Sequence, residues 1–278
     1  MNILYLKKDE LGHPLQRGDV RYNHIVRVLK KKEGDLIAAG CSDGSLGSAQ
    51  IKKLGSDALL LDYQDESQAP TLYPVNILMG FPRPIQAGRI LKDLTSLGVA
   101  RIWFTLSALG EKSYAESSFF RTRDFETHLI EGAMQAGNPR LPSVECFWSL
   151  SRACDAIDAI DAAQRGASSQ GETASRATVP LVADHININP VTSSDGIRHK
   201  TDRLVFHPGE SLPRLTDFST LGAPIWLAIG SERGWTDEEM DTLQSQGFTA
   251  CSLGRRILKT ETAALAATSI VLGKMGLL

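Results

Sequence analysis

Over residues 1–72 hydrophobic positions come in short runs separated by turn signals. "NILYL", "LIAAG", "GSAQIKKL" and "ALLLDYQ" read as strands, punctuated by Asp-Gly and Gly-Ser pairs. Apolar residues at 25, 26, 28 and 29 in "NHIVRVLK" read as a short helix among them. Short strands at regular spacing predict a small β-barrel. "ESQAPTLYP" reads as a linker, and beyond it the pattern becomes an alternation. "VNILMGF" is an unbroken apolar run of the buried-strand type, and Pro84 suits the first turn of the helix that follows. Ile90, Leu91, Leu94 and Leu97 recur at helical spacing up to Gly98. Then come a strand "ARIWFTL", a helix over about 119–136 with Phe125, Leu129, Ala133 and Met134 on one face, a strand "SVECFW" and a helix "SRACDAIDAIDAA".

"RLVFHPG", "APIWLAIG" and "GFTACSLG" are three further strands. Between the last two, Thr236 and Glu239 have capping-box spacing and Gly247 closes the helix they open. "ALAATSIVLG" reads as the last helix. The small, polar residues 165–178 and the stretch "HININPVTSSDGIRHKTD" read as surface loops outside the chemistry. The expectation is a β-barrel over 1–72 and, over 73–278, an α/β domain whose largely parallel sheet carries helices on both faces. Ligands of such sheets sit at the carboxyl ends of the strands.

The chain has 278 residues and a formal net charge of −2, so overall charge announces no nucleic-acid partner. Its distribution says more. Arg17, Arg21, His24, Arg27, Lys30, Lys31 and Lys32 crowd one stretch against the single acid Asp19, a stripe that could dock on phosphates or be a solvated face. No apolar run is long enough to span a membrane, and "MNILYLKKDELG" lacks the apolar core of a signal peptide, so a cytoplasmic protein is expected. Cys41, Cys146, Cys154 and Cys251 form no C-x-x-C pair and the six histidines are scattered, so the cysteines read as reduced and structural and no metal site is expected.

Three strand ends carry the candidate chemistry: "FHPG" at 206–209, "AIGSERG" at 228–234 and "SLGRRILKTETAA" at 252–264. Each delivers a glycine just past a hydrophobic strand, where main-chain groups can approach a ligand closely. Three such loops side by side would form a pocket of backbone donors and acceptors, suited to a flat heterocycle such as adenine. "GSERG" is not a nucleophile elbow, because its serine directly follows the first glycine. No G-x-G-x-x-G opens a helix, which argues against a Rossmann dinucleotide site.

The run "IGSERGWTDEEMDTLQSQGFTACSLGRRILKTETAALAA" resembles the C-terminal signature of the RsmE family, bacterial 16S ribosomal RNA uridine-N3 methyltransferases of the SPOUT class. "HIVRVLK", "LKDLTSLGVARIWF" and "EGAMQAGNPRLPSV" resemble that family's upstream motifs. Ser231 stands where proline is usual, Arg233 where glycine is usual, and Lys30 and Lys259 replace arginines.

The resemblance implies a SPOUT fold with a C-terminal trefoil knot, an N-terminal PUA-like barrel, a homodimer, S-adenosyl-L-methionine as cofactor, and 16S rRNA of the small ribosomal subunit as partner. It implies a cofactor site made by His207, Gly209, Gly230, Glu232, Gly234, Leu253, Gly254, Ile257, Leu258 and Thr262. Methylation at N3 of uridine requires a developing anion to be stabilised, for which Arg256 is the first candidate and Arg255 the second. Glu261 or Glu232 is the candidate base. The basic stripe, with Arg83, Arg89, Lys92 and Arg233, would contact RNA. Two other readings stay open: a SPOUT methyltransferase of another RNA, and a non-catalytic RNA-binding or ribosome-assembly factor.

Overall fold

The computed structural model describes residues 2–169 and 202–278. The loops expected over 170–201 lie outside the described residues. The chain divides into two compact units, 1–70 with 127–141, and 71–126 with 142–278. Residues 127–141, placed by sequence with the second domain, pack with the first unit.

In the first unit, β1 (Leu4–Leu6), β2 (Leu15–Gln16), α1 (Val20–Asn23), a π-helical turn (His24–Val28), β3 (Leu36–Cys41), β4 (Ser45–Leu54) and β5 (Ala58–Gln68) follow in order. The strands form one mixed sheet, β1-β3-β4-β5-β2, with β1 parallel to β3 and the rest antiparallel. Register shifts at Leu46/Gly47 and Ile51/Lys53 add the local twist that curls such a sheet. The core is Leu4, Leu6, Tyr22, Ile25, Ile37, Ile51 and Leu59 with their neighbours. Residues 127–141 are tied in by Asn2 and Ile3 N–H groups on the Met134 carbonyl and by Arg140 Nε on the Ala69 carbonyl.

The second unit contains β6 (Tyr73–Gly80), α2 (Pro84–Ser96), β7 (Val99–Thr105), the short α3 (Lys112–Ala115) and α4 (Ser118–Arg121), α5 (Glu126–Ala136, most of which lies in the first unit), β8 (Ser143–Phe147), α6 (Leu150–Ser169), β9 (Asp202–Phe206), β10 (Ile225–Ile229), α7 (Asp237–Ser245), β11 (Thr249–Cys251) and α8 (Thr260–Lys274). The six strands form a wholly parallel sheet, β11-β9-β10-β6-β7-β8. One core gathers Leu78, Trp103, Val205, Trp226 and Ala228 with Ala153, Cys154, Ile157, Trp235 and Leu243, between the sheet and α6 and α7. α2 packs against α8, and both pack on the sheet.

Two expectations change here. The single helix over 119–136 is two, because Arg123 takes a left-handed φ of 60° and breaks it. Arg123 then lies over the Phe125 ring and pairs with Glu126, while Phe125 is buried among Phe119 and Phe120 instead of on the α5 face. α6 continues past the predicted stop, so residues 165–169 are helical rather than loop.

The 207–224 loop is held against the chain's final segment. Ser252 N–H donates to the Pro213 carbonyl, Leu215 N–H to the Ser252 carbonyl, and Lys274 Nζ to the carbonyls of Thr216 and Phe218. These bonds tie together the two segments over which the resemblance implies a knot.

Candidate cofactor and RNA site

β9, β10 and β11 are adjacent and parallel, so their carboxyl ends converge. There the chain forms a cavity of about 260 Å³ lined by the 206–208, 229–234 and 253–263 segments. The 229–234 wall is held in place by its neighbours. The Thr236–Glu239 capping box fixes α7, and the Glu239 carboxylate also accepts the Ala108 N–H at 2.7 Å. Ser231, buried at the end of β10, faces Ser107 with hydroxyls 3.2 Å apart. The serine that replaces the usual proline therefore has a partner of its own.

The third wall has an unusual property. Residues 253–258 make no hydrogen bond to one another or to the rest of the described residues. Lys259, which caps α8, offers no side-chain cap to the first turn of that helix. A segment of six residues whose N–H and C=O groups lack protein partners is matched to water or to a ligand that hydrogen-bonds along its edge. On the 206–208 wall, His207 Nδ1 is buried and, among the described residues, without a hydrogen-bond partner. Ile257 lines the cavity while 84% exposed, an apolar side chain with nothing yet to cover. Gly230 allows the tight turn, since a Cβ there would lie 2.6 Å from the Gly234 main chain.

Of the expected cofactor residues, His207, Gly230, Glu232, Gly234, Leu253, Gly254, Ile257 and Leu258 line this cavity, and Gly209 and Thr262 do not. Gly209 lies beyond Pro208, the last lining residue on its loop. Thr262 misses although it stands in the first turn of α8, where Glu261 and Thr262 were expected to open the helix. Thr260 and Ala263 then share the cavity-facing side at i, i+3, and Glu261 and Thr262 rotate away. Arg256 and Arg233 reach the lining; Arg255 and Glu261 do not. Phe206, Pro208, Ile229, Ser231, Thr260 and Ala263 line it unannounced. The hydrophobic strand ends just before each glycine loop were the available signal for Phe206 and Ile229.

Glu232 is anchored: its Oε1 accepts the Arg83 N–H at 2.9 Å, at the cap of α2. Arg83 Nε donates to the Tyr114 hydroxyl at 2.9 Å, and this bond raises the guanidinium's hold on its proton. Arg233 lies 3.8 Å from Glu111. Arg89 is exposed and Lys92 half-buried on α2.

In the first unit Arg17, Arg27, Lys30 and Lys32 are exposed, and His24 and Lys31 half-buried. Arg21 is a correction to the stripe. Its side chain is 19% exposed and held by Asp19, Glu10 and the Tyr5 carbonyl, and the Asp19 bond pushes its pKa up. It is part of the internal bonding of the unit and cannot turn to a phosphate without breaking two ion pairs. Among the described residues no helix is long and apolar enough to cross a membrane, and no cluster of three His, Cys, Asp or Glu side chains could hold a metal.

Known proteins match this architecture along its length. A family model described as an RNA methyltransferase domain matches residues 68–172 and 160–272, and one described as an RNA methyltransferase PUA domain matches 19–62. The ribosomal RNA small subunit methyltransferase E of Treponema pallidum is 34% identical over 276 residues, covering 98% of this chain and 91% of that protein. The chain belongs to the ribosomal RNA small subunit methyltransferase E family. A second member, methyltransferase E 1 of Borreliella burgdorferi, is 25% identical over 99% of both chains. Among solved structures, the family member of Neisseria gonorrhoeae, bound to S-adenosyl methionine, shares the fold with a TM-score of 0.64 at 20% identity, covering 98% of this chain and 97% of that one. The probable rRNA-methyltransferase of Porphyromonas gingivalis does so with a TM-score of 0.69 at 17% identity, over 99% of both. The cavity is thus at the knotted end of a SPOUT methyltransferase fold, and the expected fold class holds.

Proposed function

We propose that this chain transfers a methyl group from S-adenosyl-L-methionine to N3 of a uridine in 16S rRNA of the small ribosomal subunit. The observation that carries the reading is the cavity wall 253–258, whose main chain has no partner among the described residues, in a chain of this family. Such a wall fits a purine, whose edge donates and accepts hydrogen bonds. The main chain of 253–258, with Gly230 and His207 opposite, would hold the cofactor, and Ile257 would cover it. When bound, S-adenosylmethionine supplies a methyl group made electrophilic by a sulfonium.

The protein's own task is to prepare the nucleophile. Uridine N3–H is a weak acid, so the ring must be stabilised as its anion while its proton is taken. Arg256 lines the cavity and is exposed to an incoming base, so its guanidinium can meet O2 or O4 as charge develops. Arg255 is outside the lining and is left to RNA. Of the two candidate bases, Glu232 lines the cavity and Glu261 does not, so Glu232 is the better placed to accept the proton. Arg17, Arg27, Lys30, Lys31 and Lys32, with Arg83, Arg89 and Arg233, supply phosphate contacts.

We also propose a homodimer through α8. Ala264, Ala267, Val271 and Leu272 are buried, while Leu265, Ala266 and Ile270 on other sides remain half-exposed, and a helix apolar all round wants cover on every side. A ribosomal RNA substrate supports a cytoplasmic location. Titration of the protein with S-adenosylmethionine in a calorimeter, followed by the Arg256→Ala variant, tests the assignment. The variant should keep its cofactor affinity within about 3-fold and lose about 100-fold in methyl transfer. Near-normal turnover would end the role given to Arg256, and absence of cofactor binding in the parent protein would end the reading of the cavity.

A further inference from the structure

The segment between β7 and α4 lies beside the cavity and has no part in the chemistry above. It is firmly attached to the cavity loop, through Ser107 to Ser231 and through the Ala108 N–H to Glu239. It carries Glu111 and Tyr114, and each holds an arginine. Tyr114 is half-buried and takes the Nε edge of the exposed Arg83, while Glu111 faces Arg233. Among the described residues the two terminal nitrogens of Arg83 make no further bond. A phenol that accepts a hydrogen bond still has its own O–H to donate. The pair therefore keeps donors to spare: the N–H groups of the two terminal nitrogens and the phenol O–H. The two nearby carboxylates are already engaged, Glu232 by the Arg83 N–H and Glu111 by Arg233.

We propose that Tyr114 is a positioning residue for RNA binding: it fixes Arg83 at the mouth of the cavity so that guanidinium and phenol together grip one phosphate of the RNA strand that delivers the target base. The inference rests on the proposed RNA-methylating function. A free arginine must lose side-chain rotamers when it binds, and one already tied at Nε loses fewer. The same arrangement explains why an exposed arginine is bonded to a tyrosine and not to the carboxylate next to it. A carboxylate partner would compete with the phosphate, whereas a phenol adds a donor.

Equilibrium binding of small-subunit rRNA tests this, in the full chain and with Tyr114→Phe, Arg83→Ala and the double variant. Tyr114→Phe keeps the ring and removes only the hydroxyl. It should weaken RNA binding about 3- to 10-fold and raise the RNA KM in parallel, with kcat and cofactor affinity unchanged. Arg83→Ala should weaken binding at least as much and lower the salt slope by about one. In the Arg83→Ala background, Tyr114→Phe should cost clearly less than it does in the parent, because only the phenol's own bond is left to lose. Unchanged affinity in Tyr114→Phe, or effects that simply add in the double variant, would overturn the proposal. Because affinity is read separately from turnover, a wild-type protein that binds RNA without methylating it would sink the functional reading and leave this coupling measurable.

Discussion

Gly230→Ala probes the cavity at the point where its shape is most tightly constrained. A Cβ on residue 230 would lie 2.6 Å from both the C and Cα atoms of Gly234, and 3.0 Å from its carbonyl oxygen. Carbon atoms in contact prefer about 3.5–4.0 Å, so the two sides of the 230–234 turn must part by about 1 Å. The obstructing atoms are main chain and cannot swing aside as a side chain would. Overpacking of this kind costs about 1–3 kcal/mol. If that cost falls on the closed form of the loop, cofactor affinity drops about 5- to 150-fold. The control is Gly234→Asn in the same turn. There φ is +76° and nothing lies within 4 Å of an added Cβ, and asparagine tolerates that backbone. Its stability in urea should stay within about 1 kcal/mol of the parent, which separates crowding at residue 230 from a general weakness of the turn. Calorimetric titration with S-adenosylmethionine reads both variants, and urea unfolding separates loss of affinity from loss of fold. A Gly230→Ala protein that binds the cofactor within about 2-fold of the parent would show that the 230–234 loop is not a wall of the cofactor site.

Other expectations test different parts of the account. Arg203 joins β9 to α6 and α7, with a side chain 10% exposed, ion pairs to Asp158 and Asp161, and a bond to the Gln246 carbonyl. Arg203→Met leaves Asp161, 2% exposed, as an uncompensated buried carboxylate, and should cost about 3–5 kcal/mol in urea unfolding. Adding Asp161→Leu should recover most of it, and a loss below about 1 kcal/mol in the single variant would contradict the burial. Asp43 has its pKa lowered to about 2, chiefly by the Ser45 hydroxyl. A depressed carboxylate stabilises the fold above its unfolded pKa, near 3.8, and loses that contribution as pH falls through 2. Asp43→Asn should therefore cost about 1 kcal/mol at pH 6, after discounting for a side chain 35% exposed, and only a small part of that at pH 2; a pH-independent difference would refute the assignment. Replacing Lys30, Lys31 and Lys32 by alanine should weaken RNA binding at low salt and spare cofactor binding, and equal RNA affinity would remove the stripe from the interface.

Where the determinants are local, the sequence discloses them. The Thr236–Glu239 capping box, the apolar strands of the parallel sheet and the three glycine loops were all legible, and the cavity formed where those loops meet. What stayed hidden depended on partners distant in sequence or on a few degrees of backbone. Nothing in "FFRTRDFE" signals that Arg123 will turn left-handed, because the burial of Phe125 beside Phe119 and Phe120 drives it. Arg21 looked like its neighbours in the stripe. Asp19 two residues before it was a visible partner, but Glu10 reaches it only once the sheet has formed. The opening of α8 around Glu261 and Thr262 was legible, but the polar "KTET" gave no hydrophobic period to tell which of its side chains would face the cavity. Tyr114, Glu111 and Ser107 sit on a segment without period or motif, so their place beside the cavity could come only from the fold.

The central claim is tested most directly by identifying the product. The purified chain would be incubated with labelled S-adenosylmethionine and small ribosomal subunits from cells lacking its gene, and the 16S rRNA digested to nucleosides for mass analysis. The account predicts label in 3-methyluridine, and its loss with Arg256→Ala. Label in a different nucleoside, or none in a protein that binds both cofactor and subunit, would contradict it.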